Sequence, residues 1–218
     1  PVVPATTVSA VPAGTTPDIL PEAPHLQTIA QGVVTIDGPV VWRVRELSVS
    51  SAGAPESPAA SFVLQRTGAT VIRNELTGRR TRLDPGEAEF LPAGDPILRY
   101  AVGTMPGLLW DIELLPPEAI AEVTPSVGTV LYTSDATNDY PQGTFEAILA
   151  RNVLLPGEAA VLPPFTGAVL VLVTAGQVDV SIEGGQSVPL AAGNGRLISG
   201  QPALRNTGTQ SAAVVIAA

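Results

Sequence analysis

The chain has 218 residues, and its 20 acidic against 11 basic residues give a net charge of −9, which argues against a nucleic-acid partner because that field repels phosphate backbones. It has no cysteine and all 11 basic residues are arginine, so thiol nucleophiles, disulfides, thiolate metal sites and lysine Schiff bases are excluded. No run of about 18 apolar residues is present, and we expect no membrane-spanning helix.

Residues 1–25 are rich in proline and threonine and predict an extended N-terminal arm. A short, nearly uncharged segment of the arm suits strand addition to an exposed sheet edge; it consists of Thr6, Thr7, Val8, Ser9, Ala10 and Val11. An edge on a neighbouring molecule would give a head-to-tail contact that propagates into a ring or filament, whereas an arm that folds back covers its own domain. Because the sequence starts at Pro1 rather than Met, we expect that a leader was removed and that the protein is extracellular or on the cell surface.

After the arm, short Val- and Ile-rich runs bounded by Gly, Pro, Asn or Asp predict an all-β chain. The 22 prolines and 21 glycines indicate short, frequently interrupted strands. Residues 117–123 look helical, over one or two turns. Residues 168–174 would be apolar on both faces of a strand, which predicts a central strand that is covered on both sides.

The chain also repeats itself. The residues that follow Gly68 resemble those that follow Gly176, and residues 94–99 resemble residues 200–205. Each copy opens with two predicted strands, at 32–37 and 40–47 in the first copy and at 128–133 and 145–153 in the second. We therefore predict two copies of one unit. The predicted domains are the arm (1–25), a first unit (26–117), and a linker with a second unit (118–218).

The spacing of Gly86, Pro92 and Gly94 resembles the second cupin motif, G-x5-P-x-G-x2-H, at every position but the last, where Ile97 stands. Over about residues 26–218 the chain is similar to the two-repeat members of the cupin superfamily, the bicupins. This resemblance implies two tandem cupin-like jelly-roll barrels, also called double-stranded β-helices.

The resemblance also indicates where metal ligands would lie. Gly157 and Gly176 are spaced like the two ends of the first cupin motif, G-x5-H-x-H-x3-E-x6-G. The positions that correspond to ligands are Pro55, Ser57, Ser61 and Ile97 in the first repeat, and Pro163, Phe165, Val169 and Leu204 (or its neighbour Ala203) in the second. Transition metals need imidazole, thiolate or carboxylate donors. The resemblance therefore implies that both metal sites are lost and that no cofactor is bound.

Other catalytic candidates are few. His25 is the sole histidine and lies in a proline-rich stretch outside both repeats, so no serine can be activated through it in the usual way. Glu87 with Glu89, and Asp111 with Glu113, are spaced to share one strand face. On a jelly roll we expect that face to be the outward, solvated one. The sequence therefore predicts a protein that is not an enzyme.

These observations lead to two functional hypotheses, and an enzyme that uses paired carboxylates ranks last behind them. The first is a non-catalytic, exported cupin-fold protein that acts as a structural subunit and self-assembles through its arm into a homo-oligomer, filament or surface layer. The alternative is an extracellular binding module whose metal-free barrel holds a small hydrophobic or carbohydrate ligand. Filled barrels favour the first hypothesis, and an open barrel lined by Phe165 and Val169 favours the second.

Overall fold

The computed structural model describes residues 25–50, 55–122, 128–182 and 185–218, and within these ranges the protein is all-β apart from one short helix. Residues 1–24 of the predicted arm, which include the proposed assembly segment at 6–11, lie outside the described residues. The helix is α1 (Pro117–Glu122), at the segment where the sequence predicts one or two turns. It separates two groups of strands.

The strands of the first half are β1 (Gln27–Ile36), β2 (Val41–Val49), β3 (Ser61–Thr67), β4 (Thr70–Asn74), β5 (Arg80–Leu83), β6 (Ala88–Leu91), β7 (Ile97–Ala101) and β8 (Gly107–Leu115). Those of the second half are β9 (Thr129–Thr133), β10 (Gly143–Leu154), β11 (Ala159–Val161), β12 (Ala168–Ala175), β13 (Gln177–Ile182), β14 (Val188–Ala191), β15 (Gly195–Ser199), β16 (Pro202–Asn206) and β17 (Ala212–Ala217). The strand predicted to be central, β12, lies between β15 and β17 and is buried over seven of its eight residues.

The two halves have the same strand order. The large sheets are β6-β3-β8-β2-β9 and β15-β12-β17-β10-β1, and the small sheets are β5-β4-β7 and β14-β13-β16-β11. In each half a large sheet faces a small sheet and closes a jelly-roll barrel. We call the pair that contains β2 the N-terminal barrel and the pair that contains β10 the C-terminal barrel. The turns that join their sheets, at Gly68 and Gly176, both have φ in the left-handed region that favours glycine (67° and 76°).

The first strand of each half lies in the large sheet of the other half. β1 pairs antiparallel with β10, and β9 pairs antiparallel with β2. The domain boundary that the sequence predicts near residue 117 therefore separates the two repeats, but each large sheet contains one strand from the other side of that boundary. Each exchanged strand also touches the edge strand of its own half. A Cβ atom on Gly32 of β1 would lie 1.9 Å from the ring of Phe90 in β6, and the backbone N–H of Leu197 in β15 donates to Tyr132 Oη in β9 at 2.9 Å.

Three apolar cores result from this arrangement. The largest, the inter-sheet core, lies between the two large sheets and includes Trp42 and Trp110, which are 2% and 4% exposed. A second core fills the C-terminal barrel, and a third, smaller core fills one part of the N-terminal barrel. Alternation along a strand explains the division, since Trp42 and Val44 point into the inter-sheet core while Leu47 and Val49 point into the N-terminal barrel. Within the described residues no helix has the length and apolar character needed to cross a bilayer.

Candidate functional site

The inside of the N-terminal barrel carries a cluster of charged side chains, which we call the ionic layer. Its members are Arg43, Arg45, Glu56, Arg99, Asp111 and Glu113. Arg45 holds Glu113 through two parallel hydrogen bonds, from Nε to Oε2 at 3.1 Å and from Nη2 to Oε1 at 2.7 Å. Arg43 Nε donates to the same Oε2 at 2.6 Å. Such paired, charge-assisted bonds are among the strongest in proteins.

Arg99 carries the ionic layer across the barrel. It lies on β7 of the small sheet, and its Nη2 donates to Asp111 Oδ2 on the large sheet at 3.1 Å. Its Nη1 donates to Glu56 Oε1 at 2.6 Å, and Glu56 sits where the chain forms an isolated bridge with Ile97. Asp111 also accepts from Arg45 Nη2 at 3.2 Å. The two sheets are thus joined through the barrel interior by ion pairs.

The ionic layer is electrically balanced, and it is buried except at Glu56, whose side chain is 43% exposed. Its three guanidinium groups face three carboxylates, and Arg99, Asp111 and Glu113 are 4%, 0% and 3% exposed. Asp111 and Glu113 were expected on the outward, solvated face, and that prediction is wrong. The carboxylates do not face outward because Trp110 and Ile112, which alternate with them along β8, pack into the inter-sheet core and so turn Asp111 and Glu113 into the barrel. Glu89, from the other predicted pair, is half-buried and accepts from Thr81 Oγ1 at 2.9 Å.

The equivalent positions of the C-terminal barrel are uncharged. The matching rows across the large sheets are Val63, Asp111 and Arg45 in one barrel and Val171, Ile216 and Ala150 in the other. On the small sheets, Ile72 pairs with Arg99 where Val180 pairs with Leu204. A polar residue, Asn152, lies inside the C-terminal barrel at the position of Leu47. It is fully buried, and neither its Oδ1 nor its Nδ2 meets a hydrogen-bond partner on the described part of the chain.

The structure divides the positions that correspond to cupin ligands. Ser61, Ile97, Val169 and Leu204 are buried and point into the barrels, at 2%, 1%, 0% and 1% exposure. Ser61 and Val169 occupy equivalent rows, next to Glu113 and next to Ile198 respectively. Pro55, Ser57 and Pro163 are exposed, and Phe165 packs partly against the core of the C-terminal barrel. Across the described residues, no three His, Asp or Glu side chains are grouped in a way that could hold a metal ion.

Sequence reasoning missed the arginines. Arg43 and Arg45 alternate with apolar residues on β2, and Arg99 lies two residues after Ile97. The signal was present as two strands of opposite charge at the same i, i+2 spacing, with Arg43 and Arg45 on one and Asp111 and Glu113 on the other. Cross-strand pairing of opposite charges stabilises a sheet. A search for complementary charge on strands predicted to be neighbours would have found four of the six members.

A cleft opens at the edge of the inter-sheet core, and we call it the inter-sheet cleft. It has a volume of about 310 Å³ and is lined by Val34, Ile36, Trp42, Leu114, Tyr140, Pro141, Phe145, Glu146, Ala147, Ile148, Pro164, Phe165, Thr166 and Ala218. Trp42 Nε1 donates to Tyr140 Oη at 2.8 Å, and Tyr140 Oη donates to the carbonyl of Ala168. Burial raises the pKa of Tyr140 to about 12, so the phenol is neutral at physiological pH.

No protein-family model and no curated protein matches the chain. Solved structures do. AerE from Microcystis aeruginosa is 12% identical with a TM-score of 0.55, over 89% of this chain and 92% of that one. YhaK from Escherichia coli is 13% identical with a TM-score of 0.54, over 85% and 92% of the two chains. Oxalate decarboxylase from Lactobacillus farciminis is 14% identical with a TM-score of 0.50, over 86% and 80%.

The fold is a cupin fold. The predicted fold class, two jelly-roll barrels in one all-β chain, is therefore confirmed. One of these similar structures is described as an enzyme, and at 14% identity the likeness establishes the common fold and nothing about the reaction of this chain.

Proposed function

We propose that this protein is a metal-free bicupin that acts as a non-catalytic structural subunit, exported from the cell and able to self-assemble through its N-terminal arm. The observation that carries the proposal is the state of the two barrel interiors. One is crossed by the ionic layer and the other is packed with aliphatic side chains. Neither leaves a set of donors with which this fold could do metal chemistry.

The ionic layer does not fit a metal cation. Each of its carboxylates is already engaged by at least one guanidinium group, so a divalent cation would have to compete with an arginine for every carboxylate ligand. A metal would have to displace Arg43, Arg45 or Arg99 from its carboxylate and leave a buried charge without a partner, which costs several kcal/mol. The same pairing supports a non-catalytic role, because each carboxylate in the layer is ion-paired to an arginine and would have to give up or share that partner to act as a general acid or base.

The proposed role of the arm in self-assembly is supported by one feature of the described surface. A groove that we call the arm-side groove lies where the arm joins β1, and it is lined by His25, Leu26, Gln27, Val153 and Leu155. Val153 and Leu155 are 38% and 57% exposed. An apolar surface beside an arm of low charge suits contacts made by that arm, either with its own domain or with a neighbour.

Truncation tests the structural role. Deletion of residues 1–20 should leave folded monomers that no longer assemble, and Val8→Pro should weaken assembly because it removes one backbone donor from an added strand. Light scattering gives the mass and electron micrographs give the form of the particles. Leu155→Ser tests whether assembly also needs the apolar surface of the arm-side groove. If the truncated and complete chains have the same mass and the same appearance, the arm does not mediate self-association and the structural proposal is wrong.

The second candidate function is a binding module, and the inter-sheet cleft favours it. The sequence-based hypothesis places a ligand inside the barrel, but Val169 is fully buried there among aliphatic neighbours. Phe165, in contrast, reaches the cleft outside the barrel. A concave, mainly apolar site with a few polar groups is typical of small-molecule pockets, and at about 310 Å³ this one lies near the lower end of their size range.

A further inference from the structure

We propose that the inter-sheet cleft binds small aromatic molecules that carry an N–H donor and no negative charge. This inference rests on the second candidate function, the binding module, and gives it a site and a ligand class. It does not depend on the arm or on assembly.

The walls of the cleft favour a flat, aromatic ligand. Phe145 from β10, Phe165 from the β11–β12 connection and Tyr140 border it, and Trp42 from β2 lines it from a buried position, 2% exposed. Rings contributed by separate elements can stack against, or meet edge-on, a ring placed between them, and each such contact adds to the apolar burial. The volume of about 310 Å³ limits the occupant to a small molecule.

Charge selects against an anion. Glu146 is exposed on β10 and borders the cleft, and the described lining residues include no arginine. A carboxylate or sulfonate ligand would lose water next to a like charge and gain no cationic partner. A neutral amine avoids that cost. A protonated amine gains from Glu146 and from the aromatic faces around it.

Hydrogen-bonding capacity selects for a donor. The Tyr140 hydroxyl donates its hydrogen bond to the Ala168 carbonyl and accepts one from Trp42 Nε1. One lone pair of the hydroxyl oxygen is left as an acceptor. Glu146 also offers only acceptors when ionised. Thr166 can act in either sense. The polar rim of the cleft is therefore richer in acceptors than in donors, and an aromatic amine complements it.

Two matched probes test the proposal on the full chain. N-phenyl-1-naphthylamine is a neutral aromatic amine, and 1-anilinonaphthalene-8-sulfonate has the same ring system with an added sulfonate. We expect the neutral probe to bind at one site per chain and the sulfonate to bind about tenfold or more weakly. In a Trp110→Phe variant Trp42 is the remaining tryptophan, so energy transfer from it to the bound probe reports occupancy of the cleft.

Variants locate the site. Phe165→Ala should weaken the neutral probe about tenfold through loss of one aromatic wall. Glu146→Gln should narrow the gap between the two probes and leave the neutral probe unchanged. Leu155→Ser, in the arm-side groove, is the control and should change neither affinity.

The outcomes separate the ligand class from the site. Equal affinity for both probes, with the Phe165→Ala loss intact, would overturn the charge selection and leave the binding-module hypothesis standing. Probe binding that Phe165→Ala leaves unchanged while Leu155→Ser abolishes it would place the site in the arm-side groove and overturn the inference. If neither probe binds, the inference is overturned and the support for the binding module is removed.

Discussion

The two barrels share one strand order and differ in what fills them. Equivalent rows place Arg45 and Asp111 in the N-terminal barrel where Ala150 and Ile216 stand in the C-terminal barrel. A barrel of this fold can therefore be closed in two ways, by buried ion pairs or by hydrocarbon. The difference shows that the backbone fixes which positions point inward, while the chemistry at those positions can change when buried charges are paired with one another.

The two solutions should respond differently to loss of one side chain. Asp111→Ala leaves Arg45 and Arg99 with fewer partners in a buried site, and we expect it to lower the free energy of unfolding by about 3–5 kcal/mol. Ile216→Val, at the equivalent position, removes one methylene and should cost about 0.5–1.5 kcal/mol. Urea denaturation of the two variants measures both values.

A combined variant checks the cause of the Asp111→Ala loss. Replacement of Arg45, Asp111 and Arg99 together, by Met, Leu and Met, removes Asp111 with both of its partners and keeps their volume approximately. Arg43 stays paired with Glu113, and Glu56, whose side chain is 43% exposed, loses Arg99. We expect it to be more stable than Asp111→Ala alone, because buried ion pairs can be exchanged for apolar residues of similar volume at little cost. A triple variant less stable than the single one would show that the ionic layer stabilises the barrel through more than mutual neutralisation.

The contacts between each exchanged strand and the edge strand of its own half, β1 with β6 and β9 with β15, give the next largest effect on stability. Gly32→Ala should lower the free energy of unfolding by about 1–3 kcal/mol, because the new Cβ would lie 1.9 Å from the Phe90 ring and force β1 and β6 apart. Gly38→Ala is the matched control, since nothing lies within 4 Å of its added Cβ. Equal stability of the two variants in urea denaturation would mean that β1 and β6 can move apart without loss of stability.

Asn152 is the position where the apolar barrel departs from its own pattern. Asn152→Leu places there the residue type that the N-terminal barrel has at the equivalent position, Leu47, and removes a buried amide without a partner on the described chain. We expect the free energy of unfolding to rise by about 1–2 kcal/mol. A loss of stability in thermal or urea unfolding would indicate that a buried water satisfies the amide.

The smallest effect concerns the tyrosine at the junction of the two barrels. The pKa of Tyr140 is raised by burial to about 12, against about 10 in an unfolded chain. Its contribution to stability is therefore complete below pH of about 10 and is lost as pH rises towards about 12. Tyr140→Phe should flatten this part of the profile of unfolding free energy against pH, measured by urea denaturation at each pH. An unchanged slope would assign the alkaline loss to other tyrosines, such as Tyr132, whose pKa burial also raises.

Much of the fold could be predicted because it depends on local pattern. Runs of Val and Ile between Gly and Pro marked the strands, the turn glycines Gly68 and Gly176 marked the repeat, and a motif of three residues pointed to the cupin fold. The exchange of β1 and β9 could not be predicted in this way. It depends on pairing between strands that are more than 80 residues apart. The sequence pattern of each strand is the same whichever sheet the strand joins.

The candidate site was predicted only in part, for a physical reason. Alternation along β8 showed that Asp111 and Glu113 share a face, but it did not show which face is inside, because both faces of this sheet are covered. A charged pair was then assigned to solvent by its polarity. Buried carboxylates occur where arginines meet them, and that partner information lies on β2 and β7, far away in sequence.

The metal content of the purified chain tests the central claim most directly, namely that both barrel interiors are closed to metal. The protein should be expressed in medium supplemented with manganese, iron, nickel, copper and zinc, dialysed without chelator and analysed for these elements per chain. The ionic layer in one barrel and the aliphatic core in the other predict substoichiometric amounts of each. One tightly held transition-metal ion per chain would contradict the account.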